Sequence, residues 1–165
     1  MMNDKRLTSK RLDGVLLPKG FLAAGVHCGI KPRKGVLDLG IIYSEVPATA
    51  AATFTTNRVK AAPVKLSQKR VRRGRAQAIV VNSGNANAAT GRRGDKDART
   101  MTRVTAGALR MPEQEVLVCS TGHIGRLLPM GKIVPGIKKA AGIIERSPEA
   151  ASLISRAILT TDTRP

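Results

Sequence analysis

The chain has 165 residues, which is enough for one domain with a hydrophobic core, since a chain of about 150 residues buries roughly 68–70% of its unfolded surface. Hydrophobic residues make up 42% of the sequence, which excludes general disorder, and the near absence of aromatic residues means that the core must be aliphatic. The formal net charge of +18 favours an anionic partner, such as nucleic acid, an acidic protein chain or a small anion.

The first half of the chain has the patterns of strands and one helix. Residues 21–30 form an apolar run rich in Gly and Ala, and residues 36–44 have the apolar density of a strand. Residues 50–56 (AAATFTT) predict a second strand. Pro63 suits the first position of a helix, which should end at Gly74.

In the second half of the chain, predicted strands again alternate with predicted helices. Residues 76–81 (AQAIVV) are the clearest buried strand, and the Asn- and Gly-rich residues 82–91 predict a loop. Apolar residues at three- and four-residue steps then predict a helix that ends at Met111-Pro112. Residues 116–119 (VLVC) predict another short buried strand.

Two further helices are predicted over residues 133–144 and after Ser147, whose side chain can cap a helix that begins with proline. Strands that alternate with helices indicate an α/β (α+β) fold. We expect a mobile lead-in over residues 1–18 and a single domain over residues 19–165.

The sequence offers no targeting or metal-binding pattern. Residues 1–11 are polar, unlike a signal peptide, and no apolar run reaches the roughly 18 residues that span a membrane. Cys28 and Cys119 are too far apart in sequence for a metal or redox motif. A cytoplasmic protein without membrane contact and without a metal is therefore expected.

Ser120-Thr121-Gly122 directly follows the predicted strand over residues 116–119. Hydroxyl and backbone N–H donors that are fixed at a strand end can stabilise an oxyanion. The same residues can form an ordinary turn with Gly122 at a positive φ angle, and the spacing alone favours this turn.

Other polar positions have two interpretations each. Residues 82–87 (NSGNAN) can bind a carboxylate or stabilise tight turns, and they do not fit a phosphate loop. His27 and His123 lack a carboxylate in a triad-like pattern, which is typical of structural or surface histidines. The threonines of residues 160–163 (TTDT) can bind a polar substrate or cap the end of a helix.

Positive charge is concentrated in residues 65–75 and residues 92–110, with six cations in each segment. Neither segment contains the aromatic residues on which single-stranded nucleic acids stack. We therefore interpret both segments as solvated helix faces, with only non-specific binding to nucleic acid.

Five stretches taken together resemble the ornithine acetyltransferase family, the bifunctional glutamate N-acetyltransferases of arginine biosynthesis. They follow the order of that family over nearly all of the chain and comprise residues 18–31, 51–64, 80–91 (VVNSGNANAATG), 120–130 (from STG to LPM) and 160–163. The resemblance identifies the chain as the N-terminal, α-chain portion of such an enzyme.

The resemblance implies a helix–sheet–sheet–helix sandwich that is partial here, because the β chain is lacking. It implies a precursor that cuts itself at an Ala-Thr bond, and a β-chain Thr that carries acetyl from N-acetylornithine to glutamate. Acetyl-CoA is a possible co-substrate, and no cofactor is implied. The implied assembly is a heterotetramer of two α and two β chains.

By the same resemblance, Thr121 and Gly122 match the oxyanion-hole pair, and Thr160, with Thr161 as the second choice, matches a substrate-binding position. The sequence stops before the self-cleavage site and the catalytic Thr of the family, so this chain alone is expected to be inactive. His123 departs from the family, which usually has a small aliphatic residue there. An inactive family fragment and a basic nucleic-acid-binding protein are the alternatives.

Overall fold

The computed structural model describes residues 17–162, so most of the predicted lead-in over residues 1–18 and the last three residues lie outside the described part. In chain order the elements are β1 (Phe21–Val26), β2 (Leu39–Thr49), α1 (Ala62–Val71), β3 (Arg75–Asn85), α2 (Gly91–Leu109), a 3-10 turn (Glu113–Glu115), β4 (Val116–His123), α3 (Met130–Gly142) and α4 (Pro148–Ala157). This mixture confirms the predicted α/β (α+β) class.

The four strands form one sheet in the order β1-β2-β3-β4. The first three are antiparallel neighbours, whereas β3 and β4 are parallel and are connected through α2. The parallel register pairs Gly84 with Gly122 and Asn85 with His123. The polar C-terminal ends of β3 and β4 therefore lie side by side at the same end of the sheet.

Helices α1, α2 and α3 pack on one face of the sheet, which carries the main core. Alternate residues of each strand point to this face, as in any pleated strand. The most buried side chains of this core are Leu39, Ile41, Val80, Val116, Val118, Met101, Ile133 and Ile137, all of them at most 1% exposed. The core is aliphatic, as the composition predicts.

Helix α4 packs on the opposite face, against β1 and β2. Gly25 and Gly40 are register partners on these strands and make the close approach possible. A Cβ atom on Gly25 would overlap the backbone carbonyl of Leu153, and one on Gly40 would overlap the side chain of Ile154. The two glycines thus give the sheet a surface without side chains, on which α4 can pack closely.

The remaining part of this face, over β3 and β4, is not covered by α4. There Ile79 and Leu117 are half-buried, and Cys119 is exposed. An apolar depression of about 190 Å³ lies over this region, with Ile79 and Leu117 in its lining. The second face of the sheet is therefore only half covered in the described part of the chain.

Several predicted elements are confirmed and two are wrong in extent or type. Helix α1 covers the predicted helix at Pro63, and the Ser147 hydroxyl accepts a hydrogen bond from the Ala150 N–H at 3.0 Å, as expected of a cap. The strand predicted over residues 50–56 is wrong, because these residues have no regular secondary structure. Their side chains are mostly exposed, and β-propensity without burial or a pairing partner does not make a strand.

The loop predicted over residues 82–91 begins later than expected. Strand β3 continues to Asn85 because β4 continues beside it to His123, and the ladder holds the Asn- and Gly-rich residues in extended form. For the same reason β4 includes Ser120-Thr121-Gly122, which the sequence places at the junction between the strand and the following loop. No helix within residues 17–162 is both long enough and apolar enough to cross a membrane.

Candidate functional site

A cavity of about 450 Å³ lies at the carboxyl end of β4. Its lining consists of Lys31, Gly84, Thr121, Gly122, His123, Thr160 and Thr161. The structure therefore brings together all four residues that the family resemblance assigns to a site, Thr121 and Gly122 from β4, and Thr160 and Thr161 from the segment after α4. Lys31, to which the sequence analysis assigns no role, lines the same cavity.

Gly122 has a backbone conformation that glycine alone adopts easily, with φ at 128°. A Cβ atom at this position would also overlap the backbone of Gly84 and Asn85, so a side chain is excluded for two reasons. The neighbouring Thr121 is half-buried, and its strand is the edge of the described sheet. An edge strand has backbone groups on its outer side that no other strand binds, so this end of β4 offers donors to a ligand.

His123 is an exposed residue of the cavity lining. Its Nδ1 is 3.0 Å from the carbonyl oxygen of Gly84, and because a carbonyl can only accept, this nitrogen carries the proton. His27, which does not line the cavity, makes a similar contact at 2.7 Å with the carbonyl oxygen of Val36. Both rings are thus oriented by backbone carbonyls.

The amides of residues 82–87 are used for internal contacts. Asn82 donates to the carbonyl of Asn85 at 2.8 Å, and Asn87 donates to the carbonyl of Gly94 at 3.0 Å. Asn85 donates to the carbonyls of Arg126 and Leu127 at 3.2 and 3.0 Å, which braces the loop after β4. These contacts favour the turn interpretation over carboxylate binding.

The loop between β1 and β2 is organised by one buried carboxylate. Asp38 is fully buried and accepts hydrogen bonds of 2.7–3.0 Å from four consecutive backbone N–H groups, those of residues 28–31. Four donors satisfy a carboxylate without a cationic side chain. The loop is therefore held in a single conformation, and Lys31 at its end has a fixed backbone position.

The side chain of Lys31 runs from this loop to the cavity. Its Nζ donates to the carbonyl oxygens of Leu37 at 2.9 Å and of Leu159 at 2.6 Å. Burial lowers the pKa of Lys31, and the negative charge of Asp38 acts in the opposite direction. Within residues 17–162 no group of three His, Cys, Asp or Glu side chains is placed to hold a metal ion.

Comparison with known proteins gives consistent matches. The ArgJ family model matches residues 22–165. The arginine biosynthesis bifunctional protein ArgJ of Caldanaerobacter subterraneus is 54% identical over 153 residues, which cover 92% of this chain and 37% of that protein. The glutamate N-acetyltransferase of Methanothermobacter thermautotrophicus is 48% identical over 152 residues, which cover 92% of this chain and 36% of the relative. The chain thus spans just over a third of the length of these relatives.

Two solved structures share the fold. The crystal structure of ArgJ from Bacillus halodurans has a TM-score of 0.83 and 49% identity, and the match covers 88% of this chain and 74% of that one. The structure of ornithine acetyltransferase from Mycobacterium tuberculosis, complexed with ornithine, has a TM-score of 0.88 and 42% identity, with 94% and 83% covered. The family model, the relatives and the fold agree, and the chain belongs to the ArgJ family.

Proposed function

We propose that this chain is the α-chain part of a glutamate N-acetyltransferase, which moves an acetyl group from N-acetylornithine to glutamate. The observation that carries the proposal is the shared cavity of Thr121, Gly122, Thr160 and Thr161. The lining combines a strand end that offers hydrogen-bond donors with the hydroxyls of a second segment. This combination suits an acyl group and a polar amino-acid substrate.

In the proposed reaction, a Thr hydroxyl from a β chain attacks the acetyl carbonyl of N-acetylornithine. A C–O bond forms, the C–N bond breaks, and ornithine leaves with a proton on its amine. The amine of glutamate then attacks the acetyl-threonine ester and restores the hydroxyl. In both steps negative charge develops on the carbonyl oxygen, where the Thr121 hydroxyl and the Gly122 N–H act as the oxyanion hole.

The proposed partner is a β chain that carries the nucleophile, in an assembly of two α and two β chains. Support comes from the half-covered face of the sheet, where Ile79 and Leu117 remain half-buried and Cys119 is exposed. Apolar surface of this kind is expected to be covered in a complete molecule. The chain by itself is then inactive, and turnover of N-acetylornithine and glutamate by the purified chain alone would contradict this part of the proposal.

Replacing Thr121 by alanine tests the oxyanion hole. In a complex with a β chain, the Thr121→Ala change should lower kcat about 10²–10³-fold, which corresponds to about 2.7–4 kcal/mol for one lost donor. The KM should change much less, because the donor acts mainly in the transition state. The matched control is Thr100→Ala on α2, whose hydroxyl bonds within its own helix at 3.0 Å. Unchanged kcat in the Thr121 variant would refute the assignment.

The same assay, with acetyl-CoA in place of N-acetylornithine, tests the proposed alternative acetyl donor. The cytoplasmic location expected from the sequence stays a prediction.

A second candidate function rests on the exposed cations of α1 and α2. Among them are Lys65, Lys69, Arg92, Arg93, Arg99 and Arg103, all on the helical side of the sheet. They attract polyanions, although no aromatic side chain lies among them. We propose that this surface binds nucleic acid only weakly and without sequence preference.

A further inference from the structure

Lys31 joins three parts of the chain that meet at the cavity. Its backbone N–H donates to Asp38, and its Nζ donates to the carbonyls of Leu37 and Leu159. Its aliphatic stem lies against Gly84, where an added Cβ atom would come within 3.1 Å of the Lys31 Cγ. The lysine is therefore packed, hydrogen-bonded and directed toward the segment after α4.

The contact with Leu159 determines where the predicted substrate-binding threonines lie. Helix α4 ends at Ala157, and Thr160 and Thr161 are exposed. The carbonyl of Leu159 belongs to the same peptide unit as the N–H of Thr160, so a bond to this carbonyl fixes that peptide. The 2.6 Å contact with a cationic donor is of the strong, charge-assisted kind.

Lys31 also determines the charge of the cavity. Of the described residues in its lining, Lys31 is the only lysine or arginine, and none is a carboxylate. Asp162 lines an adjoining depression instead. An ammonium group has three N–H donors, and two carbonyls occupy two of them, so one N–H remains for a ligand.

We propose that Lys31 is a positioning residue of this cavity, which holds Thr160 and Thr161 opposite Thr121 and Gly122 and uses its remaining N–H to select ligands with a carboxylate. The selection of a carboxylate rests on the proposed function, because both amino-acid substrates of that reaction carry one. The positioning role rests only on the contacts of Lys31.

Hydrogen exchange of the full-length chain tests the positioning role without any turnover. The Lys31→Met change should speed exchange at the amides of residues 160–162 about tenfold, because one charge-assisted bond is lost. Lys31→Arg should retain most of the protection. The matched control is Lys34→Met, which removes an exposed lysine of the same loop and should change nothing at these amides. Equal exchange in Lys31→Met and wild type would overturn the proposal.

A measurement on the unchanged chain covers the case in which Lys31→Met does not fold. In a chain with ¹⁵N-labelled lysine side chains and ¹³C-labelled carbonyls, one ammonium resonance should exchange slowly with water. That resonance should couple across hydrogen bonds to the carbonyl carbons of Leu37 and Leu159. If every lysine ammonium exchanges rapidly and shows no such coupling, the proposal is wrong.

The selection of a carboxylate is tested with acetate and its neutral analogue acetamide. Acetate should shift the amide resonances of Gly122 and Thr160 in the wild-type chain and in Lys34→Met, whereas acetamide should not. Lys31→Met should remove this difference. Equal shifts by both probes in the wild type would overturn the selection of a carboxylate. Neither probe is turned over, so these results stand apart from a failure of the proposed acetyl transfer, which the Thr121→Ala kinetics detect.

Discussion

Replacing Asp38 by alanine should destabilise the whole domain, because this one buried side chain satisfies four half-buried donors. The four N–H groups of residues 28–31 would lose their acceptor at once. A buried donor without a partner costs about 1–3 kcal/mol. At the lower value, which suits a loop that water can partly reach, the loss is about 4 kcal/mol.

The Asp38→Asn change separates the effect of the carboxylate's charge from the effect of the side chain's shape. The Oδ2 atom accepts three of the four bonds, and an asparagine oxygen can take this place. The amide nitrogen must then face the N–H of Cys28, which Oδ1 now binds at 2.7 Å, so this bond is lost and the other three become weaker. We expect a loss of about 3 kcal/mol, smaller than that of the alanine variant.

Urea denaturation followed by circular dichroism measures both losses. With a slope of about 2 kcal/mol per molar urea, the alanine variant should unfold at a midpoint about 2 M lower than the wild type. The control is Asp95→Asn, which changes an exposed carboxylate on α2 and should leave the midpoint nearly unchanged. A midpoint shift below about 0.5 M for Asp38→Ala would show that the four bonds contribute little, and the reasoning would be refuted.

Three further predictions concern other parts of the molecule. Gly25→Ala should lower the free energy of unfolding by about 1–3 kcal/mol, because the new methyl group meets the backbone of Leu153 under α4 and cannot be avoided by a side-chain rotation. Burial and the neighbouring Asp38 raise the pKa of the Cys28 thiol to about 12. The folded chain then keeps a proton that the unfolded chain loses above about pH 8.5, so stability should fall as pH rises from 9 to 11. Duplex DNA should bind the chain weakly, with an affinity that falls steeply with salt.

Each of these predictions has a direct check. For Gly25→Ala, the urea midpoint is compared with that of Gly107→Ala, where an added methyl group meets no neighbouring atom. For Cys28, the pH dependence of the midpoint should flatten in Cys28→Ala, and the same slope in both proteins would contradict the assignment. For DNA, fluorescence anisotropy over a range of salt concentrations suffices, and nanomolar, sequence-selective binding at physiological salt would favour the nucleic-acid-binding alternative.

The sequence predicts best the elements that bury aliphatic side chains. Strand β3 has a continuous apolar run, and α4 has both a capping Ser147 and helical spacing, so each was found. Residues 50–56 have strand-like composition but stay exposed and unpaired, and local composition carries no information about pairing. Composition also does not show that the pairing between β3 and β4 continues through the polar residues at their C-terminal ends.

The candidate site could be indicated from the residues only in part. Thr121 and Gly122 fit either an oxyanion-stabilising pair or an ordinary turn, the spacing alone favours the turn, and the family resemblance singles out the pair. The role of Lys31 was not predictable, because its Nζ binds backbone carbonyls, one of them 128 residues away along the chain. Every residue has a carbonyl, so no side-chain pattern at Leu159 marks it as the partner.

The outer edge of β4 is open only at its carboxyl end, because Ser67 and Arg70 of α1 bind the backbone of Val116 and Val118. This open end has a consequence for how copies of the chain behave toward one another. An unpaired edge strand is a template onto which a second copy can add its own strand, and this is a common route to aggregation. The formal net charge of +18 makes two copies repel each other before their edges meet. The excess of lysine and arginine can thus keep the open carboxyl end of β4 free in solution, at the expense of attraction to any polyanion that is present.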